Sequence, residues 1–304
     1  MRTLTRPGVL FSVLLLFAPA SNARACSQCM CGTPFPADVL GGVVPMELRY
    51  GFEERYLSKS NGLDEGPGIE QEREHRISPF VLWRAHDRIA LLARLPYNLK
   101  ELRVTTAGDP TQIETSGGLG DAEVLALVGL THTAGAHPLT VGLVIGGALP
   151  TGSNNLRDDA GQRRDAHLQP GTGAWSGTAG LNAAIALRVG AVAMSILGRA
   201  NGGNAHGYRY GDVLLFNAGY TSPARNGWRL LAQMNGRSAR RDRFEDGTLG
   251  GNTGGTVIYA APGALWEIGD GLALEGAVQI PVYKSLFGEQ DEHTTGRLAV
   301  TFSR

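Results

Sequence analysis

Beyond about residue 45, apolar and polar residues alternate with a period of two over most of the chain. Across 45–56, Met46, Leu48, Tyr50 and Phe52 fall on one face and Glu47, Arg49, Gly51 and Glu53 on the other. No single helix face would collect those apolar residues, so the pattern predicts strand. It is clearest across 117–153, where strands at 119–130 and 139–150 flank a turn holding Gly135 and Pro138. The second of these alternates Leu139, Val141, Leu143 and Ile145 with Thr140, Gly142, Val144 and Gly146. Globular strands usually run about five or six residues. These run roughly twice that, and about 9–11 tilted residues is the length that crosses a bilayer.

Extended along the chain, the same reading predicts twelve strands: 45–56, 74–86, 88–102, 119–130, 139–150, 174–187, 189–200, 209–221, 227–236, 254–268, 272–282 and 292–302. Long polar stretches follow the odd-numbered strands, at 57–73, 103–118, 151–173, 201–208, 237–253 and 283–291. Short connections follow the even-numbered ones. An even strand count with alternating short turns and long loops is the signature of an antiparallel up-and-down transmembrane β-barrel. The competing architecture is a secreted β-sandwich. Trp83, Tyr220, Trp228, Trp266 and Phe302 fall near the short-turn ends, and Tyr56, Tyr97, Trp175, Tyr210 and Tyr283 near the long-loop ends. Two such sets are what a pair of interfacial girdles would require.

The N-terminus supplies an address. Arg2 and Arg6 precede an apolar run over 8–20, and Ala23-Arg24-Ala25 offers small residues for cleavage, as in a secretory signal peptide. The expected organisation is a signal at 1–25, a Cys-rich lead-in at 26–43 and a barrel over 44–304. Both termini would then lie in the periplasm and the barrel in the bacterial outer membrane. Its expected partners are outer-membrane lipid, the barrel-assembly machinery, which would read the strand ending in Phe302, and small-molecule solutes. Without the signal the chain carries 25 basic against 28 acidic residues, which excludes a strongly basic nucleic-acid surface.

Candidate chemistry concentrates in two places. Cys26, Cys29 and Cys31, with Met30 between the last two, are the only cysteines. In an oxidising compartment they suit a disulfide, Cys26 with Cys29 or Cys31, and one leftover thiol. As thiolates they suit Cu(I) or Zn, and Cys26 could instead carry lipid. His86, His132 and His137 fall on short turns at the same end, so His132 and His137 could join the cysteines around an ion. The second place is the lumen, where strand parity turns Glu47, Arg49, Glu53, Arg94, Asp121, Glu123, Arg229, Glu275 and Arg297 inward. Both signs occur, as mutual pairing across a narrow interior requires. Twelve strands enclose less than an open porin, so a constricted or partly plugged lumen is expected. Enzymatic readings find no support: there is no G-x-S-x-G elbow and no H-E-x-x-H.

One ordered set of motifs adds to this. Ala85-His86-Asp87-Arg88-Ile89-Ala90-Leu91 with Leu95-Pro96-Tyr97, Gly118-Leu119-Gly120-Asp121, Leu149-Pro150-Thr151-Gly152 and Tyr210-Gly211-Asp212 occur in that order. The set resembles bacterial outer-membrane barrels associated with the meta-cleavage pathway of phenol degradation, often simply called transporters. The resemblance covers most of the chain from Met46 onward. It implies a passive channel for small hydrophobic or aromatic solutes and no catalytic residues. The alternative is a membrane-anchored metal- or redox-binding protein that uses the Cys segment.

Overall fold

The computed structural model describes residues 48–62, 68–106, 108, 110–269 and 271–304. The signal region, the three cysteines and Glu47 lie outside the described residues. What is described is almost wholly strand. Fifteen segments form one antiparallel sheet that closes on itself as twelve staves. β1 (Leu48–Gly62) and β2 (Gly68–His86) open it. The third stave is broken into β3 (Ile89–Arg94) and β4 (Tyr97–Thr106), and the fourth into β5 (Gln112–Leu119) and β6 (Ala122–His132). Then come β7 (Leu139–Leu149), β8 (Ser176–Leu187), β9 (Gly190–Asn201), β10 (Val213–Thr221), β11 (Trp228–Ala239), β12 (Gly255–Glu267) and β13 (Leu272–Leu286). The last stave is β14 (Gln290–Glu292) with β15 (Thr295–Ser303).

Pro96 has no N–H for the ladder, so the third stave breaks there. The neighbouring stave breaks beside it, and Gly120 N donates to the Pro96 carbonyl at 2.7 Å. The closing seam joins β1 to β15 from Arg49↔Ser303 to Tyr56↔Gly296. At Gly51 the two backbones approach so closely that a Cβ would strike the Val300 carbonyl oxygen.

Burial alternates along the staves, strictly so through much of β2. Outward positions carry Phe52, Ile77, Val81, Trp83, Ile196, Met234, Ile280 and Leu298. At the short-turn end Tyr50 stacks on Phe302 with centroids 5.5 Å apart, and Trp228 on Trp266 at 5.2 Å. Inward positions hold most of the buried charges and amides. This is the polarity of a barrel with lipid outside and a polar interior.

Three expected loops prove to be largely strand. The stretches 57–73, 103–118 and 283–291 are occupied by the ends of β1, β2, β4, β5 and β13 and by β14. Outward residues there include Arg73, Glu101 and Arg103, which pair with one another. A ladder held by backbone hydrogen bonds needs no apolar alternation where both faces meet water, so the period-two signal fades while the strand continues. The long connections that remain are 150–175, 202–212 and 240–254, all at one end.

Leu298, 61% exposed and half-way along β15, tests which face meets lipid. Leu298→Arg is expected to lower stability in vesicles by about 2–4 kcal/mol. Denaturant titration of the folded, heat-modifiable gel band measures this, and an unchanged midpoint would contradict a lipid-facing position.

Candidate functional site: the lumen and its plug

The interior is two-sided. Phe80 and Leu82 of β2, Ala90 and Leu92 of β3, Leu125 and Leu127 of β6, Val144 of β7 and Leu197 of β9 form a continuous buried apolar wall. On the adjoining staves the inward faces of β1, β13 and β15 carry paired charges. Glu53 receives Arg55 Nε at 2.5 Å and Arg297 Nε at 2.7 Å, and Arg297 also pairs with Glu275. Nearer the long loops, Arg237 pairs with Glu292, which also accepts from the Tyr259 hydroxyl at 2.9 Å. Buried charges persist only when compensated, and each of these carboxylates has at least one cationic partner.

The long connection 150–175 turns inward instead of standing clear of the rim. Its base is clamped by Asp121, which accepts from Gly152 N at 3.0 Å, Thr172 N at 2.8 Å and Thr172 Oγ1 at 2.5 Å. Gly152 and Gly171 cross backbone to backbone, leaving no room for a Cβ on either. The Gly120-Asp121 and Thr151-Gly152 motifs are therefore halves of one clamp. Inside it, a single 3₁₀ turn, Ala166–Leu168, is capped by Asp165, which accepts from His167 N at 2.7 Å. Gln169, fully buried, braces the segment by accepting from Leu156 N and donating to Leu156 O and Arg164 O.

The wall holds this plug through its carbonyls. Lys100 Nζ donates to His167 O at 2.8 Å and Gln169 O at 2.9 Å, and Asn98 Nδ2 donates to Pro170 O at 2.6 Å. From other loops, Tyr210 donates to Ala166 O at 2.9 Å, while Tyr208 donates to Asp242 at 2.7 Å and packs on Tyr210. Tyr210 is thus a buried plug contact, correcting its expected place in the girdle. An aromatic beside a loop reads alike in sequence whether it turns to lipid or to the interior.

His167 joins the plug to the wall electrostatically. Its Nδ1 lies 2.8 Å from Glu72 of β2, which Lys59 also approaches at 2.8 Å, and its Nε2 lies 4.0 Å from Asp242. Burial alone would push the imidazole pKa down. The Glu72 carboxylate, aided by Asp165 and opposed by Lys59, outweighs it and raises the pKa to about 9. At neutral pH the plug is therefore tied to β2 by an imidazolium–carboxylate pair.

The residues expected from parity distribute as follows. Arg49, Glu53, Arg94, Glu123, Glu275 and Arg297 are buried on the inward face. Asp121 sits in the break between β5 and β6 as the plug clamp, and Arg229 pairs with Glu267 at 3.1 Å at the short-turn rim. His132 and His137 lie at the turn between β6 and β7, near Thr140 Oγ1 and the Ala186 carbonyl respectively. Among the described residues no three His, Cys, Asp or Glu side chains gather as metal ligands would. Parity reasoning did not single out Glu72, Arg76, Lys100 or Arg199. Lys100 was within its reach, at the same parity as Arg94 on the predicted strand 88–102.

A raised histidine pKa fixes the sign of a pH effect. The His167–Glu72 contribution is complete below the unfolded value of about 6.5 and is lost as pH rises through about 9. Single-channel conductance in a planar bilayer is expected to rise between pH 7 and 10 as the plug loosens. His167→Gln should show the looser state already at pH 7 and no step. A flat wild-type profile would disprove the tie.

No family model matches the chain, and no curated protein matches it in sequence. Solved structures do match in shape. The COG4313 outer membrane channel from Pseudomonas putida F1 aligns with TM-score 0.61 at 14% identity, covering 89% of this chain and 100% of that one. The transport unit of the autotransporter AIDA-I from Escherichia coli aligns with TM-score 0.52 at 11% identity, covering 84% and 90%. The CymD monoaromatic hydrocarbon channel covers 85% and 89%, but at TM-score 0.41 and 9% identity it carries no argument. At such identities the likeness is one of fold: a closed, twelve-stave antiparallel β-barrel.

Proposed function

We propose that this protein is a passive channel of the bacterial outer membrane for small hydrophobic or aromatic solutes. In this reading its termini and short turns face the periplasm and its plug faces outward. The observation that carries it is the combination of a continuous apolar wall inside the barrel with a plug held only by non-covalent contacts. A barrel interior that served structure alone would need only paired charges. The apolar strip from Phe80 and Leu82 to Leu197 is packed shut while the plug is in place, and in this reading it becomes a surface for a solute with an apolar body only when the plug gives way. The ordered Gly, Pro and Asp motifs point to the same solute class through the family they resemble. The membrane address follows from the signal-like N-terminus and from the outward apolar belt with its aromatic pairs.

The plug sets the size limit. With 150–175 folded into a twelve-stave interior, passage suits single-ring solutes and excludes large hydrophilic ones. In vesicles carrying the purified protein, benzyl alcohol is expected to enter several-fold faster than in protein-free vesicles, and a trisaccharide no faster. Equal rates with and without protein would refute the channel. Leu127→Gln, a polar group in the apolar wall, is expected to slow benzyl alcohol about five- to thirty-fold, in line with the ~1–2 kcal/mol cost of burying an unpaired amide.

A further inference from the structure

Where the ring closes, β1 runs past the end of β15 and meets β14, and polar side chains gather there on the outward face. Ser60 stands opposite Asp291 in the β1–β14 ladder. Nearer the bilayer, His293 N donates to Ser58 O at 3.1 Å. The alternate residues Lys59 and Glu292 are buried on the lumen side, so Ser58, Ser60, Asp291 and His293 point away from it.

The imidazole lies between hydroxyl and acid. Its Nδ1 is 3.2 Å from Ser58 Oγ, and its Nε2 is 3.4 Å from Ser60 Oγ and 3.9 Å from Asp291 Oδ2. Lys284 of β13 holds the other Asp291 oxygen at 2.5 Å. With its proton on Nε2, His293 accepts from the Ser58 O–H and turns its own N–H toward Asp291. Hydroxyl, imidazole and carboxylate in that order are the parts of an activated nucleophile: the base takes the proton and the acid steadies the imidazolium. The side chains of His293 and Asp291 are 40% and 52% accessible, so the cluster can be reached from outside.

Height gives the cluster a substrate. Outward on β13, Val278, Ile280 and Val282 give way to Lys284, and on β2, Val81 and Ile77 give way to His75 and Arg73. Ser58 and His293 therefore stand where the apolar belt ends, the level at which acyl chains join their head groups.

We infer that Ser58, His293 and Asp291 form an esterase site on the outer rim, acting on carboxylic esters whose acyl chain lies along the apolar belt. Ser58 Oγ attacks the ester carbonyl carbon while its proton passes to His293 Nδ1. The ester C–O bond breaks, the departing alkoxide takes that proton and leaves as the alcohol, and the acyl group stays on Ser58. Water then attacks the acyl carbon and gives a proton to Nδ1. The bond to Ser58 Oγ breaks, Oγ recovers the proton, and the carboxylic acid leaves. Backbone N–H groups of paired strands are committed to the ladder, so they do not form an oxyanion hole here. Loss of one such donor costs about a hundred- to a thousand-fold in rate, so turnover is expected to be slow. No local motif marks the site, because Ser58 and His293 lie at opposite ends of the barrel sequence. It stands outside the lumen and independently of the channel reading.

The test uses the full chain in mixed micelles with para-nitrophenyl decanoate, para-nitrophenyl acetate and a phosphatidylethanolamine. Wild type is expected to hydrolyse the decanoate about tenfold or more faster than Ser58→Ala, and several-fold faster than the acetate. A fluorophosphonate probe should add one label per chain, located on Ser58 by peptide mass spectrometry. Ser60→Ala should keep that label and His293→Asn should lose it. Asp291→Asn, a change at a positioning residue, should lower kcat about tenfold and leave KM as it is. Fatty acid released from the phosphatidylethanolamine identifies a bilayer lipid as the source of the ester, and hydrolysis of the decanoate alone identifies a free ester. No label, a label only on Ser60, or a decanoate rate unchanged in Ser58→Ala overturns the site. Should a variant fail to give the heat-modifiable folded band, the label on wild type decides alone. Benzyl alcohol flux in Ser58→Ala should match wild type, so loss of the site leaves the channel standing.

Discussion

Lipid offers no hydrogen-bond partner to a bare peptide group, so the N–H and C=O groups along β1 must find β15, 240 residues later, or the wall cannot stand in a bilayer. Meeting that demand turns a sheet with two exposed edges into a ring with none. Much of the rest follows from the ring. Each stave has an inside and an outside, so its side chains separate into lipid-facing and lumen-facing rows. The seam must run true, and at Gly51 it does so by dispensing with a side chain where two backbones meet. Twelve staves also set the bore, narrow enough for side chains from opposite walls and one inward loop to reach each other.

Within that bore the charged groups answer to one another more than to water. Glu53, Arg55, Arg297 and Glu275 form a chain of pairs along one wall, and a similar set runs through Glu123, Arg94 and Arg199. Such pairs add little net stability, because desolvation consumes much of the attraction. What they supply is position: each long side chain is held where it narrows the lumen. The apolar cluster on the adjoining staves carries no such demand and packs on itself.

The plug joins these two features. A loop of the length of 150–175 would ordinarily lie over the surface, since its backbone groups need partners. Here the wall supplies them through Lys100, Asn98 and Asp121, and neighbouring loops through Tyr210. The connection can therefore sit inside with the carbonyls of Ala166, His167, Gln169 and Pro170 each accepting a hydrogen bond. Its tie from His167 to Glu72 makes the interior responsive to proton concentration.

Local pattern alone was enough to specify the staves, because a wall between lipid and a polar interior imposes alternation on every residue it contains. Leu139 to Ile145 carry that imprint, and so do Phe52, Glu53 and Arg297. The imprint weakens wherever both faces share one character. It is lost in the polar hairpin arms beyond the bilayer, where strand was read as loop. It is ambiguous on β2 and β9, where outward Val81 and Ile196 stand beside inward Leu82 and Leu197, hiding the inward direction of Arg76 and Arg199. The Gly, Pro and Asp punctuation was legible as strand ends, but that Asp121 reaches Gly152 and Thr172 depends on how the ring brings two rims together. Only the closed barrel decided that His167 would meet Glu72, or that His293 would stand beside Ser58. Those residues come from segments far apart in the chain, and no local period relates them.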